Sequence, residues 1–169
     1  TGRYRLISSV DSILISVTET SEFEYHNQRI RPITYSYQRS GLAKRETEKL
    51  EFDWNQRQLI QDGKRSRLDL GTLDKLSLQQ KLSEDIALIV RAEQPITDLN
   101  YRIADREKRK SYHFRVLAEE LIETPLGRLR TIPVERIRDK KNRQDRFWLA
   151  IEYEYLLVKA VQRKTEGSL

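Results

Sequence analysis

Short runs in which apolar and polar residues alternate recur along most of this chain, broken by Gly, Pro and Asn turns. In Glu48-Lys49-Leu50-Glu51-Phe52-Asp53-Trp54, the residues Leu50, Phe52 and Trp54 fall on one face and Lys49, Glu51 and Asp53 on the other. A strand with one greasy and one wet face belongs to an antiparallel sheet that meets water on one side. Residues 4–8 and 12–18 predict two earlier strands, with Ile13, Ile15 and Val17 on one face of the second. His26-Asn27-Gln28-Arg29 reads as a turn, and Pro32 opens the next strand, where a missing N–H costs least. There Ile33, Tyr35 and Tyr37 alternate with Thr34, Ser36 and Gln38. Asn55-Gln56-Arg57 is a turn, and Asp62-Gly63 is a hairpin signal.

The period changes after Gly71. Leu78, Leu82, Ile86, Ile89 and Val90 fall in one stripe at helical spacing, with Asp85 on its edge. Asp74 or Ser77 can cap the start, Ser77 with Gln80 fits a capping box, and Pro95 closes the region. The spacing therefore predicts one helix over about residues 74–90, packed by its stripe against a sheet. Alternation then resumes. Leu99, Tyr101 and Ile103 share a face, a basic turn spans 105–110, and Tyr112, Phe114 and Val116 share the next face. Thr124-Pro125-Leu126-Gly127 is a tight turn, Pro fixing φ and Gly free to take a positive one. Residues 129–137 predict a strand whose internal Pro133 marks an edge or a bulge. A polar loop over 139–145 leads to strands at 147–150 and 155–161. No repeat, linker or low-complexity segment interrupts the pattern, so residues 1–169 read as a single β-rich domain.

At 169 residues the chain can bury roughly 70% of its unfolded surface without metal or disulfide. With no Cys, thiol chemistry is excluded. With no Met, the initiator included, the chain is expected to be processed, its secretion signal already removed. The apolar run Ile86-Ala87-Leu88-Ile89-Val90 is far short of the roughly 20 residues that span a bilayer.

Candidate chemistry is sparse. His26 and His113 are too few for a His-based metal site, and no compact acidic cluster adds ligands. There is no G-x-S-x-G elbow and no phosphate-cradling glycine loop. Glu119-Glu120 point to opposite faces of a strand, and alternation sends Asp53 outward. No acid, base and nucleophile converge, so the pattern predicts no catalytic residue, no metal and no cofactor.

Charge adds one further feature. The net charge is +6, and the cations cluster at two predicted turns: Arg106, Lys108, Arg109 and Lys110, then Lys140, Lys141 and Arg143. Together they would form a cationic rim for phosphate or lipid headgroups, or simply keep hairpin tips soluble. Nucleic acid is disfavoured, because the aromatics beside these cations follow a core pattern.

Arg31-Pro32-Ile33-Thr34-Tyr35-Ser36-Tyr37, Leu50-Glu51-Phe52-Asp53-Trp54, Asp74-Lys75-Leu76-Ser77-Leu78-Gln79, Glu123-Thr124-Pro125-Leu126-Gly127, and Trp148-Leu149-Ala150 with Tyr155-Leu156-Leu157-Val158-Lys159 carry a resemblance, in order and across nearly the whole chain. Together they resemble a bacterial exported-protein family catalogued only as domain of unknown function 3108. That resemblance implies export to the periplasm or cell envelope of a Gram-negative bacterium, and it brings no catalytic residues. The Trp-containing strand, turn and final strand also look like the end of periplasmic lipoprotein carriers. Those are open antiparallel barrels over a greasy cavity, and they have more helix than this chain offers.

The expected fold is thus mainly β: a curved antiparallel sheet of about 9–11 strands, an open barrel or half-barrel, with the helix against its concave face. The expected function is a non-enzymatic envelope binding module that holds a lipid-like or amphipathic ligand between sheet and helix. Its lining would be Leu50, Phe52, Trp54, Leu78, Leu82, Ile86 and Trp148, residues that also suit a packed core. The alternative is a structural or assembly protein of the envelope that binds a protein or an anionic polymer through an open sheet edge or its cationic loops. The pattern fixes neither ligand nor oligomeric state.

Overall fold

Alternation becomes thirteen strands among the described residues, joined by one helix. The computed structural model describes residues 2–41, 45–93, 95, 98–105, 108–138 and 143–164. The strands are β1 (Arg3–Asp11), β2 (Ile15–His26), β3 (Arg29–Gly41), β4 (Glu46–Asp53), β5 (Gln58–Gln61), β6 (Lys64–Arg67) and β7 (Thr72–Leu73), followed by the helix α1 (Lys75–Arg91). After it come β8 (Leu99–Asp105), β9 (Lys108–Val116), β10 (Glu120–Thr124), β11 (Gly127–Ile137), β12 (Arg143–Ala150) and β13 (Leu156–Lys164). They form a six-stranded sheet in the order β1-β2-β3-β4-β5-β6 and a seven-stranded sheet in the order β13-β12-β11-β9-β8-β7, with β10 beside β11. The fold is mainly β with one helix, as the alternation predicts, and neither sheet closes on itself. The strands beyond the expected 9–11 are short pieces such as β5, β6, β7 and β10, too brief for a periodic signal.

The chain clusters into two units, residues 1–78 with 102–110, and residues 79–101 with 111–169. In the first, paired residues run Leu6, Ser21, Tyr35, Leu50 across β1 to β4 on one face. That face carries a core of Tyr35, Leu50, Phe52, Leu59, Leu68, Leu76 and Ala104. Leu76, from the first turn of α1, brings the helix start onto it. In the second unit, Tyr101, Phe114 and Phe147 meet edge to face, and Val134, Leu149 and Ala150 are fully buried.

Three of the expected turns fall where the pattern puts them. Asn27 and Gln28 both take positive φ (49° and 61°), the backbone of a two-residue hairpin turn. Asp62-Gly63 joins β5 to β6, and Thr124 pairs with Gly127 across the Pro125-Leu126 turn. Four local expectations are corrected. Residues 12–18 are not one strand: Ser12 Oγ bonds Ile15 O and receives Ile15 N–H, turning the chain so that Ile13 sits fully exposed at a hairpin tip. Pro32 does not open β3 but lies inside it at a bulge, because Glu22 pairs with Thr34 while Phe23 pairs with Pro32, leaving Ile33 extra. Pro133 is on no edge: β11 is interior, and Pro133 sits where its partner on one side changes from β10 (through Thr131) to β9 (from Val134). No ladder donor is needed at that break, and the Pro133 carbonyl still accepts from Leu117 N–H. Finally, Val90 leaves the buried stripe, since α1 turns it to the exposed side beside Leu88.

Candidate functional site

In the first unit a groove of about 470 Å³ opens where β4 runs into its turn. Ile33, the extra residue of the β2–β3 bulge, lines it together with Trp54. Trp54 Nε1–H donates to the Pro32 carbonyl at 2.7 Å, and its ring stacks on Phe52 with centroids 6.3 Å apart. The Arg31 guanidinium lies 5.5 Å from the Trp54 ring centroid. The groove is therefore apolar at Ile33, Phe52, Trp54 and Ile60, and charged at Arg3, Arg31, Glu24, Glu51 and Asp53. Asp53 is half-buried and accepts from Gln56 N–H, which fixes the turn at the groove's end. The volume lies within the roughly 300–1,000 Å³ typical of small-molecule sites.

The same unit holds a buried polar junction where α1 begins. Asp74 is fully buried and caps the helix: one carboxylate oxygen accepts from Leu76 and Ser77 N–H, both at 2.9 Å, and the other from Ser21 Oγ at 2.8 Å. Ser77 Oγ accepts Asp74 N–H in return, so the capping box is Asp74 with Ser77 and not Ser77 with Gln80. Gln80 instead donates to Glu84 one turn on. Burial pushes the Asp74 carboxyl up from the ordinary aspartate range, against the pull of Ser77, Ser21 and Leu76. Lys75 Nζ stands 3.7 Å from Glu48 and 3.6 Å from Asp105, over the rings of Tyr35 and Tyr37. Tyr35 donates to Glu19 at 2.9 Å; burial first, then that carboxylate, raises its phenol far above the usual value. Each group here serves another, so the junction positions the helix. Sequence reasoning missed it, although Glu48 has the same strand parity as Leu50 and Phe52.

The second unit has two cation-rich clusters. Trp148 Nε1–H donates to Glu120, with Lys159 Nζ 4.9 Å and Arg146 5.9 Å from its ring centroid. A cavity of about 130 Å³ lies beside it, lined by Gln144, Arg146, Val161 and Arg163. Nearby on β11, the Arg136 guanidinium rests 3.2 Å from the Tyr112 ring centroid, and burial lowers its pKa. Buried Asp145 accepts from Arg138 and lies 3.9 Å from Arg136.

The seven lining candidates do not act as one set. Phe52 and Trp54 line the groove, and Trp148 lines the smaller cavity. Leu50 is core beside its cross-strand partner Tyr35, and Leu78, Leu82 and Ile86 form the buried stripe of α1. Of the cationic candidates, Arg106, Lys140 and Lys141 lie outside the described residues, Lys108 and Arg109 belong to β9, and Arg143 belongs to β12. Lys110 is paired with Asp105 at 2.6 Å. Among the described residues no group of three or more His, Asp or Glu is placed to hold a metal ion, and no helix is long and apolar enough to cross a membrane.

Comparison with known proteins gives a similar solved structure, the crystal structure of a beta-barrel-like protein of domain of unknown function DUF1849 from Brucella abortus. The likeness is at 10% identity and a TM-score of 0.47, over 96% of this chain and 75% of that one. No curated protein matches. The family model described as "Protein of unknown function (DUF3108)" matches residues 2–169, and the chain belongs to that family.

Proposed function

We propose that this protein is a non-enzymatic binding module of the bacterial cell envelope that takes an amphipathic, lipid-like ligand in the Trp54 groove. The observation that carries this reading is the groove's mixed lining. Trp54, with Ile33 and Ile60, suits an apolar chain, while Arg3 and Arg31 suit an anionic headgroup at the rim. The envelope location rests on the resemblance to exported proteins. Relative to the sequence-based expectation, the ligand moves from a space between sheet and helix to the bulged end of β3 and β4.

The test is displacement of a fluorescent fatty-acid analogue by a lysophospholipid below its micelle concentration. The reading predicts saturable displacement that Ile60→Trp, which fills the groove, abolishes, and that Arg31→Ala weakens for anionic headgroups only. Binding that does not saturate, or that survives Ile60→Trp, would refute it.

A further inference from the structure

The two edges of the six-stranded sheet are unlike. β6, at one edge, is Lys-Arg-Ser-Arg, three cations in four residues that discourage pairing with another strand. β1, at the other edge, has neither Lys nor Pro, pairs with β2 from Arg3 to Asp11 without a register shift, and is exposed along its length except at Leu6. It displays Tyr4, Ile7 and Val10, with Ile7 and Val10 each 63% exposed.

The hairpin tip fixes which backbone groups of β1 are unpaired. Ser12 N–H donates to Ile15 O at 2.9 Å, so residues 12 and 15 are a hydrogen-bonded pair. Alternation along an antiparallel ladder then makes Val10 with Val17 and Ser8 with Glu19 hydrogen-bonded pairs. The odd residues Arg3, Arg5, Ile7, Ser9 and Asp11 therefore turn their N–H and C=O groups to the open edge.

A second copy of β1 can satisfy that edge, and one register does so over the whole strand. Antiparallel pairing centred on Ile7 sets Ile7 against Ile7, Arg5 against Ser9 and Arg3 against Asp11, and all of these are outward-facing residues. It overlaps the full nine residues, places Tyr4 against Val10, and puts an opposite-charge pair at each end. Centring the pairing on Leu6 instead keeps the parity but sets Arg3 against Ser9 and loses both charge pairs. We propose that two copies of this chain join β1 to β1 about a two-fold axis through Ile7, making one twelve-stranded sheet. A two-fold contact of this kind is self-complementary and closes.

The test combines sedimentation over a concentration series with amide hydrogen exchange. The wild-type chain should reach a reversible dimer, and the amides of Arg5, Ile7 and Ser9 should become slow to exchange as dimer accumulates. Those of Ser8 and Val10 should be slow in monomer and dimer alike. Ile7→Pro removes an outward donor without breaking a β1–β2 bond and should leave a folded monomer. Asp11→Arg should weaken the dimer at least about tenfold by making both end pairs repulsive, and adding Arg3→Asp should restore it. A chain monomeric up to about 1 mM, the weak end of specific association, overturns the proposal. So does a dimer that Ile7→Pro leaves intact, and a charge swap that restores nothing overturns the register.

Discussion

Removing the Asp74 carboxylate separates the cap from the charge. In Asp74→Ala the helix loses its N-cap acceptor, worth about 1 kcal/mol, and Leu76 and Ser77 N–H lose their partner. Ser21 Oγ, itself fully buried, is left without its acceptor, which adds about 1–3 kcal/mol. The sum, about 2–4 kcal/mol, is a large part of the roughly 5–15 kcal/mol that holds a domain together. Asp74→Asn keeps an oxygen for the two N–H groups and offers an amide N–H to Ser21, while dispensing with a buried charge. Its cost at pH 7 should be below about 1 kcal/mol. The folded carboxyl has a raised pKa, so the native state binds the proton more tightly than the unfolded chain, and its contribution is greatest at low pH and lost as pH rises through the folded value. Wild type should therefore gain on Asp74→Asn as pH falls from neutral toward the ordinary aspartate range. Urea unfolding of the three proteins, compared at constant m-value, measures this. An Ala variant within about 0.5 kcal/mol of wild type, near the usual effect of a surface change, would refute the role given to the junction.

Other perturbations follow from the same structure. Gly41 has φ +132° and pairs with Ile15, and a Cβ there would lie 2.1 Å from Leu14 O; Gly41→Ala should thus lower the melting temperature and loosen the β1–β2 tip in amide exchange. Tyr35 and Tyr101 have phenols raised well above 10.0, chiefly by burial, so stability should fall as pH climbs past that value. Tyr35→Phe and Tyr101→Phe should flatten that alkaline limb in thermal melts. Leu82→Asp puts a carboxylate at a site only 6% exposed and should unfold the chain or cost at least about 3 kcal/mol, read by circular dichroism.

Most of the fold was legible because it depends on periodicity. Leu50 and Phe52 on β4, and Tyr112, Phe114 and Val116 on β9, are buried as period 2 requires, and α1 begins within a residue of its expected start. What escaped depends on events the period does not encode. A serine that bonds its own neighbours turned the apolar run at Ile13 into a tip. One extra residue at Ile33 shifted the β2–β3 ladder, and that residue lines the groove with Trp54. The prolines misled because Pro32 lies at a bulge inside its strand and Pro133 where its strand changes partners. Leu78, Leu82 and Ile86 were candidates for a lining because a stripe that packs and a stripe that faces a ligand look alike in sequence. The Asp74 junction assembles residues from β2, β3, β4 and α1, which no local window contains.

The chain has two tryptophans, one in the groove and one on β12, and this makes the central claim directly testable. In a nitrogen-15 spectrum their two indole N–H signals report separately on the groove and on the smaller cavity. Titration with an anionic lysophospholipid below its micelle concentration should shift the Trp54 indole, together with the amides of Ile33 and Asn55, and saturate. The Trp148 indole should stay in place. Saturable movement of Trp148 with Trp54 unchanged, or no saturable movement of either, would contradict the groove as the binding site.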